Sequence, residues 1–137
     1  MDVTLKIERY DPEQDEEAHW ETYEVEADPT DRALDLLNHV KWHIDGSLGF
    51  RKSCAHGVCG SDAMQINGEN RLACQVLVED LVGESGGTIS FKPLPSVPVI
   101  KDLVIDQTGF FEKYKAVKPW LMNDSAPPER ERTQSPE

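Results

Sequence analysis

Two stretches near the start of the chain alternate between apolar and polar residues. The first spans residues 3–7, and the second spans residues 20–25 after a polar, acidic turn over 11–17. A period of two residues is typical of a strand that buries one face. The two stretches therefore predict a β-hairpin. Trp20 and Val25 fall on opposite faces of the second strand, which leaves the register of the pair open.

A helical period follows the hairpin. Thr30 or Asp31 is expected to cap the helix, and Gly46 is expected to end it. This predicts one amphipathic helix of about three turns that lies across the sheet. Its apolar residues recur every three or four positions, at Leu34, Leu37, Val40 and Ile44.

Glycines interrupt any regular pattern over residues 48–60. A short strand is then predicted at 64–66, a tight turn at Asn67-Gly68, a return strand at 71–73 and a last strand at 88–91. The order β, β, α, loop, β, β, β predicts an α+β fold, in which a mixed sheet packs against one crossing helix.

The remainder of the chain is expected to differ from this first domain, which is assigned to residues 1–97. Residues 98–122 predict a helical extension, with short helices over 99–105 and 110–114. Residues 123–137 are rich in proline, serine and charge, without periodicity, and predict a disordered linker or tail.

Charge limits the classes of partner. The chain has 26 Asp and Glu residues against 14 Lys and Arg, a net charge of −12. Without clustered basic residues it is not expected to bind nucleic acid, and an anionic lipid surface would repel it. No apolar run approaches a membrane span, and the start resembles no signal peptide, so we expect a chain made on the cytosolic side whose partners are proteins.

All three cysteines lie in one short region. An odd number of cysteines without a signal peptide argues against a disulfide framework and favours a metal site. Cys54, Cys59, Asp62 and Cys74 follow the pattern C-x4-C-x2-D, then C after eleven residues. The plant-type [2Fe–2S] spacing is C-x4-C-x2-C followed by a distant cysteine. The pattern therefore predicts a [2Fe–2S] cluster on these four residues, with Asp62 in place of the third cysteine.

The sequence leaves two interpretations of the fourth ligand. Asp62 holds the ligand position and would supply a hard anionic oxygen to iron. The alternative is that Asp62 lies outside the ligand shell and that His56, Ser53 or Ser61 completes it. We expect Asp62 to be the ligand.

Other metal sites are less well supported. Cys54-Ala55-His56 has the C-x-H order of a Rieske site, but Cys74 has no partner histidine downstream. His39 and His43 lie four residues apart on the predicted helix, and nothing else converges with them. Structural zinc sites normally combine two short knuckles, whereas this chain has one cysteine pair with a different spacing.

Longer motifs around these residues resemble the iron–sulfur subunit of succinate dehydrogenase and fumarate reductase. The resemblance extends from Val3 to about Leu121. Its motifs are Phe50-Arg51-Lys52-Ser53-Cys54, Val58-Cys59-Gly60-Ser61-Asp62-Ala63-Met64, Leu72-Ala73-Cys74, Pro98-Val99-Ile100-Lys101-Asp102-Leu103-Val104 and Lys118-Pro119-Trp120-Leu121.

The resemblance implies a β-grasp, plant-ferredoxin-like domain that holds a [2Fe–2S] cluster. Some bacterial members of the family carry aspartate at the third ligand position, as Asp62 does here. The family domain accepts electrons from a flavoprotein subunit that oxidises succinate with FAD and passes them towards quinone. The chain would then sit on the cytoplasmic side of a bacterial inner membrane, held there by partner subunits that include the membrane anchors.

One departure from the family matters. Its members continue into a C-terminal domain with [4Fe–4S] and [3Fe–4S] clusters, whereas no cysteine follows Cys74 in this sequence. The chain alone therefore predicts one electron-transfer module. Two other functions stay open: a free ferredoxin-type carrier that serves various reductases, and a non-redox, zinc-binding β-grasp module.

Overall fold

The computed structural model describes residues 1–136, which fall into two compact units. The first runs from Met1 to Gln107, and the second begins at Thr108. The elements in chain order are β1 (Asp2–Arg9), β2 (His19–Glu26), α1 (Ala33–His39), a π-helical segment (Val40–Ile44), β3 (Ala63–Ile66), β4 (Glu69–Leu72), α2 (Val78–Val82), β5 (Gly87–Lys92), β6 (Val99–Lys101), β7 (Val104–Ile105) and α3 (Thr108–Val117).

The first unit is built on a five-stranded mixed sheet with the order β2-β1-β5-β3-β4. β1 and β5 pair in parallel at its centre, and the other neighbours pair antiparallel. This arrangement confirms the predicted α+β fold. The parallel central pair requires a long crossover, and α1 together with the cysteine-containing loop lies within that crossover.

The register of the first hairpin resolves the question left by the sequence. Val3 pairs with Val25 and Leu5 with Tyr23, so the alternating apolar residues of both strands share the core face. Trp20 lies on the opposite face and is 41% exposed. The ammonium group of Lys6 lies 4.8 Å from the centre of its ring, which explains how this indole is accommodated at the surface.

The core lies between the sheet and the helical crossover. Burial of each large aliphatic or aromatic side chain contributes about 1.5–3 kcal/mol. The cluster of buried side chains in this core therefore dominates the stability of the unit. Its largest fully buried members are Phe91, Leu5, Ile7, Leu36, Leu37, Leu48, Met64, Ile66, Ile89, Val3, Val40 and Val78.

The crossing helix is present, but it begins later than the sequence predicted. Its N-cap is Arg32, so the predicted cap at Thr30 or Asp31 is wrong. The Asp35 carboxylate accepts the Arg32 backbone N–H at 2.9 Å, and the residues before it form a separate turn, in which Asp28 accepts the Thr30 N–H. In this turn the Thr30 hydroxyl donates to Asp28 Oδ1 and the Asp31 carboxylate accepts the Asp28 N–H, so both predicted caps have other partners.

The last helical turn is π-helical, which the apolar spacing did not indicate. The Asp45 N–H donates to the Val40 carbonyl, five residues back, at 2.7 Å. The wider turn rotates the following side chains relative to an α-helix. Ile44, which was predicted to face the core, is consequently 50% exposed, and Trp42 is 64% exposed.

The prediction of a helix over residues 99–105 is wrong. These residues form the two-stranded sheet β6–β7, with Asp102 at φ +48° in the turn between the strands. The run is rich in β-branched residues, which favour strands. The Asp102 N–H also donates to the Tyr10 carbonyl, and the Leu103 N–H donates to the Gly49 carbonyl. These bonds to distant loops stabilise the hairpin and include it in the first unit.

The second unit contains the helix α3, which confirms helical structure around residues 110–114. Residues 118–136 contain no further helix or strand. Along α3, the ring of Phe111 contacts the rings of Phe110 and Tyr114 edge-on. No helix among residues 1–136 is long and apolar enough to cross a membrane.

A buried arginine joins the hairpin β6–β7 to the main sheet. Arg9, at the end of β1, is only 6% exposed, and its Nε lies 2.9 Å from Oδ1 of the buried Asp102. Its Nη1 contacts the carboxylates of Asp45 at 2.7 Å and Glu21 at 2.8 Å. Burial alone would lower the pKa of Arg9, but its hydrogen bonds to Asp102 and Asp45 outweigh that effect and raise it.

Asp102 is also the acceptor for two backbone groups. The N–H of Tyr10 donates to Oδ1 at 2.9 Å, and the N–H of Gly49 donates to Oδ2 at 2.7 Å. Gly49 lies in the segment that leads into the cysteine-containing loop. The carboxylate therefore holds three separate parts of the first unit together.

We expect Asp102→Asn to lower the free energy of unfolding by roughly 3–5 kcal/mol, because it leaves the buried charge of Arg9 without its most deeply buried carboxylate partner. Urea unfolding followed by tryptophan fluorescence measures the change. Asp124→Asn in the tail removes the same charge and serves as the control. Equal midpoints for the two variants would contradict this role of Asp102.

Candidate metal centre

The segment from Ser53 to Ser61 turns its backbone around the thiol of Cys54. Ala55, Gly57 and Gly60 have positive φ angles of 58°, 82° and 69°. Left-handed backbone of this kind directs successive N–H groups towards one side of the chain. The Cys54 Sγ accordingly lies 3.5 Å, 3.4 Å and 3.3 Å from the backbone nitrogens of residues 56, 58 and 59.

These contacts favour the thiolate of Cys54. Hydrogen bonds from the backbone N–H groups of His56 and Cys59 are the main causes that lower the pKa of this thiol to about 6. The thiolate is the form that binds metal ions. The loop therefore prepares Cys54 as a ligand through its own backbone, without a basic side chain.

Cys59 lies beside Cys54 in the same loop. The Cys59 thiol is one of the groups that lower the pKa of Cys54, so the two side chains lie close enough to interact. The backbone N–H of Ser61 donates to the Cys59 Sγ at 3.4 Å, and the Ser61 hydroxyl lies 3.1 Å from the same sulfur. Cys54 and Cys59 thus form the first pair of candidate ligands.

Asp62 and Cys74 form a second pair, created by the hairpin β3–β4. The hairpin pairs Ala63 with Leu72, so the residues just outside it lie side by side. The Ala73 N–H donates to the Asp62 carbonyl at 3.3 Å, and the Cys74 N–H donates to Asp62 Oδ2 at 2.6 Å. Asp62 is 2% exposed and Cys74 is 3% exposed.

One oxygen of the Asp62 carboxylate has no hydrogen-bond partner within the described chain. Oδ1 is buried, whereas Oδ2 accepts the Cys74 N–H. An ionised carboxylate oxygen buried without a partner carries a large desolvation cost, which a bound metal ion would offset. The donor set of three thiols and one such oxygen fits iron in a [2Fe–2S] cluster.

The thiol of Cys74 is held between the two halves of the site. Burial and the neighbouring Asp62 carboxylate raise its pKa, while N–H groups of Gln75 and Gly57 act in the opposite direction. Gly57 belongs to the loop between Cys54 and Cys59. The structure therefore brings the far side of the hairpin against the loop, as the sequence pattern predicted.

The four residues converge as two pairs and not as one ring. Within residues 1–136, no three His, Cys, Asp or Glu side chains are placed to hold one metal ion together. A [2Fe–2S] cluster bound here would be held by both pairs together, Cys54 with Cys59 and Asp62 with Cys74.

The alternative ligands named from the sequence lie differently. His56 contributes its backbone N–H to Cys54, and its side chain is exposed. Ser61 contacts the Cys59 sulfur through its hydroxyl, which suits a hydrogen-bond donor. On the crossing helix the rings of His39 and His43 contact each other in a tilted arrangement, with their centres 4.9 Å apart.

Sequence reasoning missed one residue of the site. The Gln75 side-chain amide lies 3.8 Å from the Cys74 Sγ and covers Gly57. Its position next to a candidate ligand was the one available signal. That position does not specify which way the side chain points.

Comparison with known proteins places this geometry in a family. Residues 4–112 match the 2Fe-2S iron-sulfur cluster binding domain. The succinate dehydrogenase iron-sulfur subunit of Coxiella burnetii is 41% identical, over 98% of this chain and 56% of that protein. The fumarate reductase iron-sulfur subunit of Mycobacterium tuberculosis is 39% identical, over 92% of this chain and 50% of that protein.

A solved structure agrees with the sequence comparison. The Mycobacterium smegmatis Sdh1 complex in the apo form contains a chain that superimposes with a TM-score of 0.80 and 26% identity, over 97% of this chain and 54% of that one. The present chain spans about half the length of the relatives it matches. The chain belongs to the family of 2Fe-2S iron–sulfur cluster binding domains, and its relatives are iron–sulfur subunits of succinate dehydrogenase and fumarate reductase.

Proposed function

We propose that this chain is the electron-transfer, N-terminal part of the iron–sulfur subunit of a succinate:quinone oxidoreductase. In this proposal Cys54, Cys59, Asp62 and Cys74 hold one [2Fe–2S] cluster. The observation that carries it is the convergence of the two ligand pairs, in which the buried Asp62 Oδ1 has no partner of its own.

A bound [2Fe–2S] cluster takes up and releases one electron at a time. The chain's own residues would set the conditions for that exchange. The backbone N–H groups of Val58 and Cys59 donate to the Cys54 sulfur and stabilise negative charge on it. The backbone N–H of Ser61 donates to the Cys59 sulfur in the same way. Asp62 and Cys74 are buried, whereas Cys59 is exposed. The loop side therefore gives the shorter path for an electron to and from a partner.

The proposed partners follow from the relatives. A flavoprotein subunit with FAD would deliver electrons, and a C-terminal domain with [4Fe–4S] and [3Fe–4S] clusters and membrane anchor subunits would carry them to quinone. The matched relatives are about twice as long as this chain, which leaves room for such a domain. The complex would lie on the cytoplasmic side of a bacterial inner membrane and would hold this chain there peripherally.

A free ferredoxin-type carrier is the second candidate. It is favoured by the first unit, because residues 1–107 contain a complete sheet and core of their own. The net charge of −12 would suit diffusional encounters with basic reductases. Purification without detergent separates the two functions. A stable complex with a flavoprotein supports the first, and a monomer reduced by a soluble reductase supports the second.

After anaerobic reconstitution with iron and sulfide, we expect two irons and two sulfides per chain. Reduction should give an S = 1/2 EPR signal that integrates to about one spin per chain, because the spins of the ferric and the ferrous iron couple antiparallel and leave a net spin of one half. Zinc without iron or acid-labile sulfide in the anaerobically isolated protein, together with failed reconstitution, would contradict the redox function and leave a zinc-binding module.

Substitution at the third ligand position tests the oxygen ligand. We expect Asp62→Cys to retain the [2Fe–2S] cluster with a raised reduction potential, because a soft thiolate favours Fe³⁺ less than a hard carboxylate oxygen does. Asp62→Ala, which supplies no donor, should retain less iron and sulfide. An EPR-monitored redox titration and iron counts give both results.

The same variants can contradict the assignment of Asp62. Loss of the cluster in Asp62→Cys would count against Asp62 as a ligand. Iron content, sulfide content and potential that stay at the wild-type values in Asp62→Ala would also exclude it.

A further inference from the structure

The side chain of Gln75 crosses from the hairpin to the ligand loop. Gln75 follows Cys74 in a turn whose backbone is fixed by the hydrogen bond from its N–H to the Leu72 carbonyl at 3.0 Å. Its side chain then lies against Gly57 so closely that a Cβ on Gly57 would be 2.8 Å from Gln75 Cδ. The glycine therefore leaves the space that the amide occupies.

This contact places an N–H donor at a ligand sulfur. Gln75 Nε2 lies 3.1 Å from the Cys74 carbonyl oxygen and 3.8 Å from the Cys74 Sγ. The amide nitrogen carries two N–H groups and can serve both acceptors. The side chain of Gln75 thus places a donor at the Cys74 sulfur.

Gln75 also limits the access of water from this side. Cys74 itself is 3% exposed, whereas Gln75 is exposed and forms the outer layer over Gly57. The Arg32 guanidinium donates to the Gln75 backbone carbonyl at 3.4 Å, which adds a contact from the start of the crossing helix. The Arg32 contact anchors the backbone of Gln75, and the side-chain amide lies at the boundary between the sulfur and the solvent.

We propose that Gln75 is a tuning residue for the cluster, which raises its reduction potential by donating a hydrogen bond to the Cys74 sulfur. This inference rests on the proposed function. A hydrogen bond to a ligand sulfur stabilises the extra negative charge of the reduced state more than the oxidised state, so each such donor makes the cluster easier to reduce. Gln75 is not a ligand and acts only through Cys74.

The test uses the full chain reconstituted with iron and sulfide, with potentials from EPR-monitored titration. Gln75→Met keeps the length of the side chain and removes the donor. We expect the equilibrium constant for reduction to fall about threefold. At about 59 mV per tenfold change, this lowers the reduction potential by about 28 mV. Gln75→Glu keeps the shape but replaces the donor with a negative charge. It should lower the equilibrium constant for reduction about tenfold, which lowers the potential by about 59 mV.

A matched control separates the hydrogen bond from general charge. Gln65→Glu adds the same charge in β3, where Gln65 pairs with Asn70 and Lys92, and should shift the equilibrium less than twofold. Iron content and EPR g values should stay at the wild-type values in all three variants. If Gln75 only supported the fold, its variants would change the iron content and the EPR g values, and the potential of the intact cluster would stay the same.

The outcomes distinguish this inference from the function on which it rests. A wild-type chain without a reducible [2Fe–2S] signal overturns both. The role of Gln75 alone is overturned if the wild-type signal is normal, Gln75→Met has the wild-type potential, and the potential of Gln75→Glu shifts no more than that of Gln65→Glu. Should Gln75→Met fail to assemble, the comparison of the two glutamate variants decides.

Discussion

The hydrogen bond between the Cys74 backbone N–H and the Asp62 carboxylate is the contact on which the site depends. At 2.6 Å, and buried from solvent, it joins the two ends of the hairpin β3–β4 and fixes one oxygen of Asp62. The other oxygen is thereby left without a partner beside a thiol. The same hairpin presents Cys74 to the loop that carries Cys54 and Cys59. Through this pairing, two candidate ligands from the hairpin and two from the loop come together at the proposed site.

Much of this arrangement could be predicted because its causes are local. Alternation over residues 3–7 and 20–25, a helical period at 34–44 and an Asn67-Gly68 turn each specify an element through short-range patterns. The ligand spacing is also local, since the glycines that permit the wrap lie between the cysteines themselves. For the same reason the approach of Cys74 to the loop could be expected from a hairpin with a tight turn.

The features that could not be predicted depend on contacts between distant segments. Residues 99–105 become a hairpin because Asp102 meets Arg9 and the Gly49 N–H, which lie far away in the sequence. The π-helical turn that exposes Ile44 ends at Asp45, whose carboxylate is held by Arg9. Gln75 reaches a sulfur only once the loop and the hairpin have met. In each case tertiary contacts override or extend what the local pattern indicates.

The most direct test of the two-pair site is a crystal structure of the anaerobically reconstituted chain, with anomalous data collected at the iron edge. The account predicts two iron peaks in one cluster, one bound by Cys54 and Cys59 and the other by Cys74 and an oxygen of Asp62. A single metal peak, or an iron beside Cys74 whose second protein ligand is a residue other than Asp62, would contradict it.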